Sequence, residues 1–189
     1  MKEKLFTLLE ENPVIAAVKD AEGLRRCCSC ENIRIVFVLY GDLCTIQEIV
    51  GTIKQAGKIA IVHIDLITGF GSKDIIVDFM QRNTEVDGII STKPGLVRHA
   101  KEQGLYAVLR IFLLDSMSFQ NITKQLSTVR PDAIEILPGL MPKMLERVRR
   151  VAKLPVIAGG LISEKEDVMA ALSAGAISVS TTNAQVWEL

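Results

Sequence analysis

Two short segments of this sequence carry the residue types that hold a small anion. Ala158-Gly159-Gly160 and Ser180-Thr181-Thr182 each end or follow an apolar run. Neighbouring glycines let backbone N–H groups approach anion oxygens with no Cβ between them, and serine and threonine hydroxyls can complete such a cup around a phosphate. A tight turn would also call for those glycines. Lys19, Lys93 and Arg110 are cations that could offset the charge of a phosphate dianion at Gly159, Gly160, Ser180 and Thr181. Asp65 and Glu135 could accept hydrogen bonds from hydroxyls of the same ligand. His63, close to Asp65, has the chemistry of a general base, although a strand histidine more often packs or hydrogen-bonds than catalyses.

These residues need a frame that gathers them, and the apolar pattern supplies one. Eight short Val- and Ile-rich runs read as strands buried on both faces: Val14 to Val18, Arg34 to Leu39, Ile59 to Ile64, Gly88 to Ile90, Leu105 to Leu109, Ala133 to Ile136, Pro155 to Ala158 and Ile177 to Val179. Helix-like segments begin near Ala21, Thr45, Lys73, Pro94, Ser116, Pro142, Glu164 and Asn183, with Asp20, Ser163 and Pro94 as opening residues. Gly57, Gly104 and Gly175 fall where a left-handed residue would close a helix before the next strand. Eight right-handed strand–helix units close into a compact (β/α)8 barrel of the TIM type, and residues 1–189 read as a single domain. The alternative is an open doubly wound sheet.

In a barrel, the loops after the strand ends form the functional face. Polar residues gather at those ends: Lys19, Asp42, His63 and Asp65, Ser91 and Lys93, Arg110, Glu135, Gly159 and Gly160, then Ser180 to Thr182. Strand alternation places His63 with Asp65, Ser91 with Lys93, and Val108 with Arg110 on shared faces that can point to the axis. The loops after strands seven and eight, with a short helix N-terminus, are where such barrels cradle phosphate.

Composition bounds the rest. Of 189 residues 49% are hydrophobic, and 22 basic residues balance 22 acidic ones. Zero net charge argues against a nonspecific nucleic-acid coat but leaves room for a local basic patch. Lys143, Arg147 and Arg150 make one helical stripe, with Arg149 and Lys153 to either side; it is a candidate RNA surface or simply a solvated outer face. Two tyrosines and one tryptophan are too few for a sheet that stacks successive bases, and Trp187 reads as a seal on the barrel. No apolar run approaches the roughly 20 residues of a membrane span, and the N-terminal MKEKLFTLLEENP has helical spacing without the apolar stretch of a secretory signal. A cytoplasmic protein is expected. Cys27, Cys28, Cys30 and Cys44 are too crowded for a secreted disulfide framework and lack the paired spacing of a zinc site, so reduced thiols and no metal are the plainer reading.

Read together, Pro13 to Asp20, Val38 to Asp42, His63-Ile64-Asp65-Leu66, Asp87 to Lys93, Glu135-Ile136-Leu137-Pro138-Gly139, Ile157 to Ile162 and Val179-Ser180-Thr181 followed by Trp187 resemble the glycerol uptake operon antiterminator regulatory proteins. The resemblance runs the length of the chain. It implies a barrel with no cofactor that binds glycerol 3-phosphate as effector and then acts on the leader mRNA of glycerol-utilisation genes to prevent premature termination. Thr182 stands where the family usually has serine, and Thr68-Gly69-Phe70-Gly71-Ser72 is richer in glycine than the family pattern. The residues alone also fit a metabolic enzyme, an isomerase or lyase on a small phosphorylated substrate, because fold does not fix function. The sequence leaves a homo-oligomer open.

Overall fold

A computed structural model of the chain describes residues 2–189. Eight parallel strands close in sequential order: β1 (Val14–Val18), β2 (Ile35–Val38), β3 (Ile59–His63), β4 (Gly88–Ser91), β5 (Tyr106–Phe112), β6 (Ala133–Leu137), β7 (Val156–Gly159) and β8 (Ser178–Thr181), with β8 returning to β1. The expected barrel is therefore the fold, and the open sheet is excluded. Helices α2 (Ala21–Ser29), α3 (Ile46–Gln55), α4 (Ile75–Asn83), α5 (Pro94–Glu102), α6 (Ser116–Val129), α7 (Pro142–Ala152), α8 (Lys165–Ser173) and the single turn α9 (Ala184–Trp187) follow the strands in turn. Among the described residues no helix is long and apolar enough to cross a membrane.

Alternation along the strands sorts side chains into two cores. Val36, Val62, Leu109, Ile134 and Val179 face outward to the helices, while Ile15, Phe37, Ile61, Ile90, Val108 and Ile157 fill the barrel. Both sets are buried, which is why the strands read as continuous apolar runs rather than as alternating ones. The N-terminal segment forms α1 (Lys2–Glu11), and its Leu5 and Leu9 join the inner core, closing the end where the strands begin. That end also carries Asp87, which pairs with Lys54 of α3 and accepts the Ala60 N–H of β3.

Local chemistry sets the helix limits. Asp20 accepts the Gly23 N–H and Asp115 forms a capping box with Ser118, while Pro94 and Pro142 open α5 and α7. The cap of α8 is Glu164, one residue beyond Ser163; Ser163 instead donates to Asp167. Gly57, Gly104 and Gly175 have φ of +72°, +82° and +92°, as a helix exit into a strand requires. All four cysteines are free thiols, and burial pushes Cys27 up to about 12, so it stays protonated. Among the described residues no group of three or more metal-ligating side chains is gathered.

Candidate functional site at the barrel mouth

The inward face changes character one layer below the mouth. Val108 and Ala133 are apolar, but the next inward residues on the same strands are Arg110 and Glu135, which lie opposite one another in register. Arg110 Nε donates to Glu135 Oε2 at 2.6 Å, and Ser180 Oγ on β8 donates to Oε1 at 2.5 Å. Glu135 is fully buried and Arg110 nearly so. A buried charge pair of this kind persists where hydrogen bonds satisfy its polar atoms.

Gly159, which ends β7, and Gly160, which follows it, serve different ends. A Cβ on Gly159 would lie 2.6 Å from Glu135 Oε1 and 2.7 Å from Ser180 Oγ, so glycine here makes room for the carboxylate network. Gly160 has a φ of +75°, and a Cβ there would meet Leu137. Leu161 follows with φ of +64° and a side chain 72% exposed, so the loop after β7 holds two successive left-handed residues.

A hollow of about 480 Å³ opens over this network, lined by Arg110, Glu135, Gly160, Leu161, Ser180 and Thr182 among others. A smaller hollow of about 190 Å³, lined by Lys19 and Asp20, shares Ala17, Thr182 and Asn183 with it. Lys19 lines the smaller hollow and Arg110 the larger one. Thr182 and Asn183 line both hollows, although Asn183 read from sequence only as the start of a helix; its place just past a barrel strand was the available signal.

Two expected members of the cup have other duties. Thr181 also lines the hollow, but its hydroxyl donates to the Ile162 carbonyl at 2.6 Å while Asn183 Nδ2 donates to the Ser163 carbonyl, and these bonds stitch the loops after β7 and β8 together. The terminal helix is one turn long, and its Gln185 N–H is taken by Asn183, so an anion here relies on loop backbone and cations rather than on a helix end. Trp187 seals the outer layer rather than the barrel bore: it belongs to the outward-facing core, and its indole donates to the Thr181 carbonyl.

Asp65 and Lys93 form a separate cluster on the β3–β4 side. The chain turns into a one-turn 3-10 helix (Ile64–Leu66) after β3, so strand alternation ends at His63 and does not carry to Asp65. Ser91 likewise falls on the outward face with Ile89 rather than toward the axis with Ile90. Asp65 accepts from Ser91 Oγ, Thr92 N and Thr92 Oγ1 at 2.7 to 2.8 Å, with Lys93 Nζ 3.6 Å away. Burial opposes its charge, but the Thr92 and Ser91 donors and nearby His63 outweigh that and hold the carboxyl below the usual range. Lys93 also donates to Ser72 at 2.7 Å, tying in the glycine-rich loop, which is anchored at Thr68 by bonds with Gly41 and Leu43. His63 is 2% exposed; burial, then the Arg110 charge, lower its pKa to about 4, partly opposed by Asp65. It is neutral at pH 7, and its buried Nδ1 has no hydrogen-bond partner.

A family model for the glycerol-3-phosphate responsive antiterminators matches residues 14–187, which spans every strand of the barrel. The chain belongs to that family. The solved glycerol uptake operon antiterminator regulatory protein of Listeria monocytogenes is 30% identical, with 93% of this chain and 94% of that one covered and a TM-score of 0.89. The glycerol uptake operon antiterminator-related protein of Thermotoga maritima is also 30% identical, covering 94% and 99% of the two chains with a TM-score of 0.83. The uncharacterized protein YgcP of Escherichia coli K12 is 47% identical over 185 residues, 98% of this chain and 96% of that protein.

On this antiterminator barrel the basic stripe lies on α7, away from the hollow over Arg110. Lys143, Arg147 and Arg150 are exposed. Arg147 Cζ lies over the Phe119 ring, 4.6 Å from its centroid, and Arg150 pairs with Glu146 one turn back. Arg149 is turned aside against Gly175.

Proposed function

We propose that this protein is a cytoplasmic, non-enzymatic antiterminator that binds glycerol 3-phosphate at the barrel mouth and, when loaded, the leader mRNA of glycerol-utilisation genes. The observation that carries this reading is the buried Arg110–Glu135–Ser180 network beneath a hollow continuous with the one lined by Lys19. Arg110 and Glu135 cancel as charges, so a phosphate dianion draws on Lys19 for its counter-charge and on the backbone and hydroxyls of Gly160, Ser180 and Thr182 for hydrogen bonds. The glycerol hydroxyls then meet Arg110, whose guanidinium has donors beyond the Nε used by Glu135, and the carboxylate itself once Ser180 or Arg110 yields. Asp65 and Lys93 act at one remove, fixing the opposite rim of the mouth.

Calorimetric titration with glycerol 3-phosphate tests the site. The parent binds and is stabilised against heat without consuming the ligand, because a ligand bound only by the folded state raises stability. Arg110→Met and Lys19→Ala each lose about 10-fold or more in affinity, the scale of one charge-assisted hydrogen bond. His63, neutral and 4.0 Å from Asp65, supports a second reading as an isomerase or lyase of a small phosphorylated substrate. Turnover of glycerol 3-phosphate or a triose phosphate, lost in His63→Gln, would decide for that reading.

A further inference from the structure

Between α6 and α7, outside the hollow over Arg110, runs a groove of about 490 Å³. Its walls are Leu114 on the β5–α6 loop, Phe119 and Gln120 on α6, and Met141, Met144 and Arg147 from the start of α7. Leu114 is 82% exposed, so this apolar surface lies open to solvent. In one wall the Arg147 guanidinium lies over the Phe119 ring, its Cζ 4.6 Å from the ring centroid. Arg147 is itself exposed, so a further group can approach it from the solvent side. Polar atoms at the rim come from Gln120, which both donates and accepts, and from Asp115 and Ser116. Along the same face of α7, one turn to either side of Arg147, stand the exposed cations Lys143 and Arg150.

We propose that this groove seats an unpaired RNA nucleotide, its base against the Arg147–Phe119 pair and its flanking phosphates on Lys143 and Arg150. The inference rests on the RNA-binding reading above and gives that reading its contact surface. An aromatic and guanidinium wall suits a nucleobase, since base stacking on aromatic rings and arginine planes is the common mode for single-stranded RNA. Sulfur-bearing Met141 and Met144 adapt to any base. Asp115 on the rim caps α6 through one carboxylate oxygen and can accept from the exocyclic amino group of a base with the other. Lys143 and Arg150, one turn to either side of Arg147 on α7, suit the charged backbone that flanks an uncharged ring.

The test uses the full chain saturated with glycerol 3-phosphate, a hexameric single-stranded RNA, a duplex RNA of equal length, and a glycerol-operon leader. Methionine methyl NMR gives the local readout. The hexamer should shift the Met141 and Met144 methyls and leave those of buried Met80 and of Met169 on α8 unmoved, and the duplex should shift neither pair. Phe119→Ala should weaken hexamer and leader binding roughly 5- to 150-fold, the range for one lost stacked base. Arg147→Lys should weaken both while keeping the salt slope, because charge is retained and the plane is lost. Leader binding that is unchanged in Phe119→Ala would overturn the groove and leave the RNA-binding reading standing. If neither hexamer nor leader binds the parent, both fall. Methyl shifts that follow dilution of the protein rather than addition of RNA would give the groove to a second copy of the chain, against the proposal.

Discussion

The two ends of the barrel hold their charged side chains differently. Where the strands begin, Asp87 accepts the Ala60 N–H at 2.8 Å and pairs with Lys54, and Asp132 accepts the Ala107 N–H at 3.1 Å with Lys101 3.4 Å away. Each carboxylate there is bonded to the backbone of a neighbouring strand, so it cannot change partners without opening the sheet. At the mouth, Glu135 is held by the side chains of Arg110 and Ser180. Side-chain partners can be exchanged for ligand atoms while the barrel stays closed. One end therefore secures the fold, and the other can respond to an effector.

Removing one carboxylate from each end gives the largest separation. Glu135→Ala leaves Arg110 buried without its counter-charge and should cost about 3 to 5 kcal/mol in urea unfolding, the scale for one half of a buried pair. Asp87→Ala removes a pair about a quarter exposed and orphans one N–H, so it should cost about 1 to 3 kcal/mol. Equal costs would erase the distinction. Adding a methyl group at each end comes next. Gly159→Ala drives a Cβ into Glu135 and Ser180 and should lower glycerol 3-phosphate affinity about 10-fold or more, or 1.4 kcal/mol. Gly57→Ala meets nothing within 4 Å and should cost only the roughly 1 to 2 kcal/mol of a left-handed alanine, with affinity unchanged by calorimetry.

Much of this plan was legible in the sequence. Val14 to Val18 and Ile59 onward read as strands because both faces are buried, and Gly57, Gly104 and Gly175 marked the helix exits through their backbone geometry. Arg110, Glu135, Gly159 and Ser180 meet because strand alternation holds up to the mouth. Past His63 the chain enters a 3-10 turn, and Ser91 falls on the outward face, so Asp65 and Lys93 gather on the β3–β4 side. Gly159 and Gly160 read alike as phosphate contacts, yet Gly159 faces Glu135 while Gly160 lines the hollow, and only the path of the chain at the end of β7 distinguishes them. Phe119 gave no signal, since its partner Arg147 comes from the next helix.

A smaller effect separates the mouth from the rest by pH. The His63 pKa is lowered in the folded protein to about 4 from an ordinary 6.5, so the unfolded chain binds more protons between those values. Its contribution to stability is complete above about pH 6.5 and should be lost as pH falls toward 4. Thermal midpoints between pH 7 and 4.5 should therefore decline less steeply in His63→Gln than in the parent. Parallel declines would remove His63 as the source.

The α7 stripe offers a complementary contrast, since it lies away from the hollow over Arg110. Converting Lys143, Arg147 and Arg150 together to alanine should flatten the salt dependence of leader binding by about 0.7 to 0.9 log units per lost contact and leave glycerol 3-phosphate affinity intact. Parallel salt curves would place the RNA elsewhere.

The most direct test of an effector-responsive mouth is filter binding of a glycerol-operon leader RNA to the parent and to Arg110→Met, each with and without glycerol 3-phosphate. The parent should retain the leader strongly only with the effector, and Arg110→Met, folded by circular dichroism, should need far more effector to do so. Retention by the parent that ignores glycerol 3-phosphate would contradict the account.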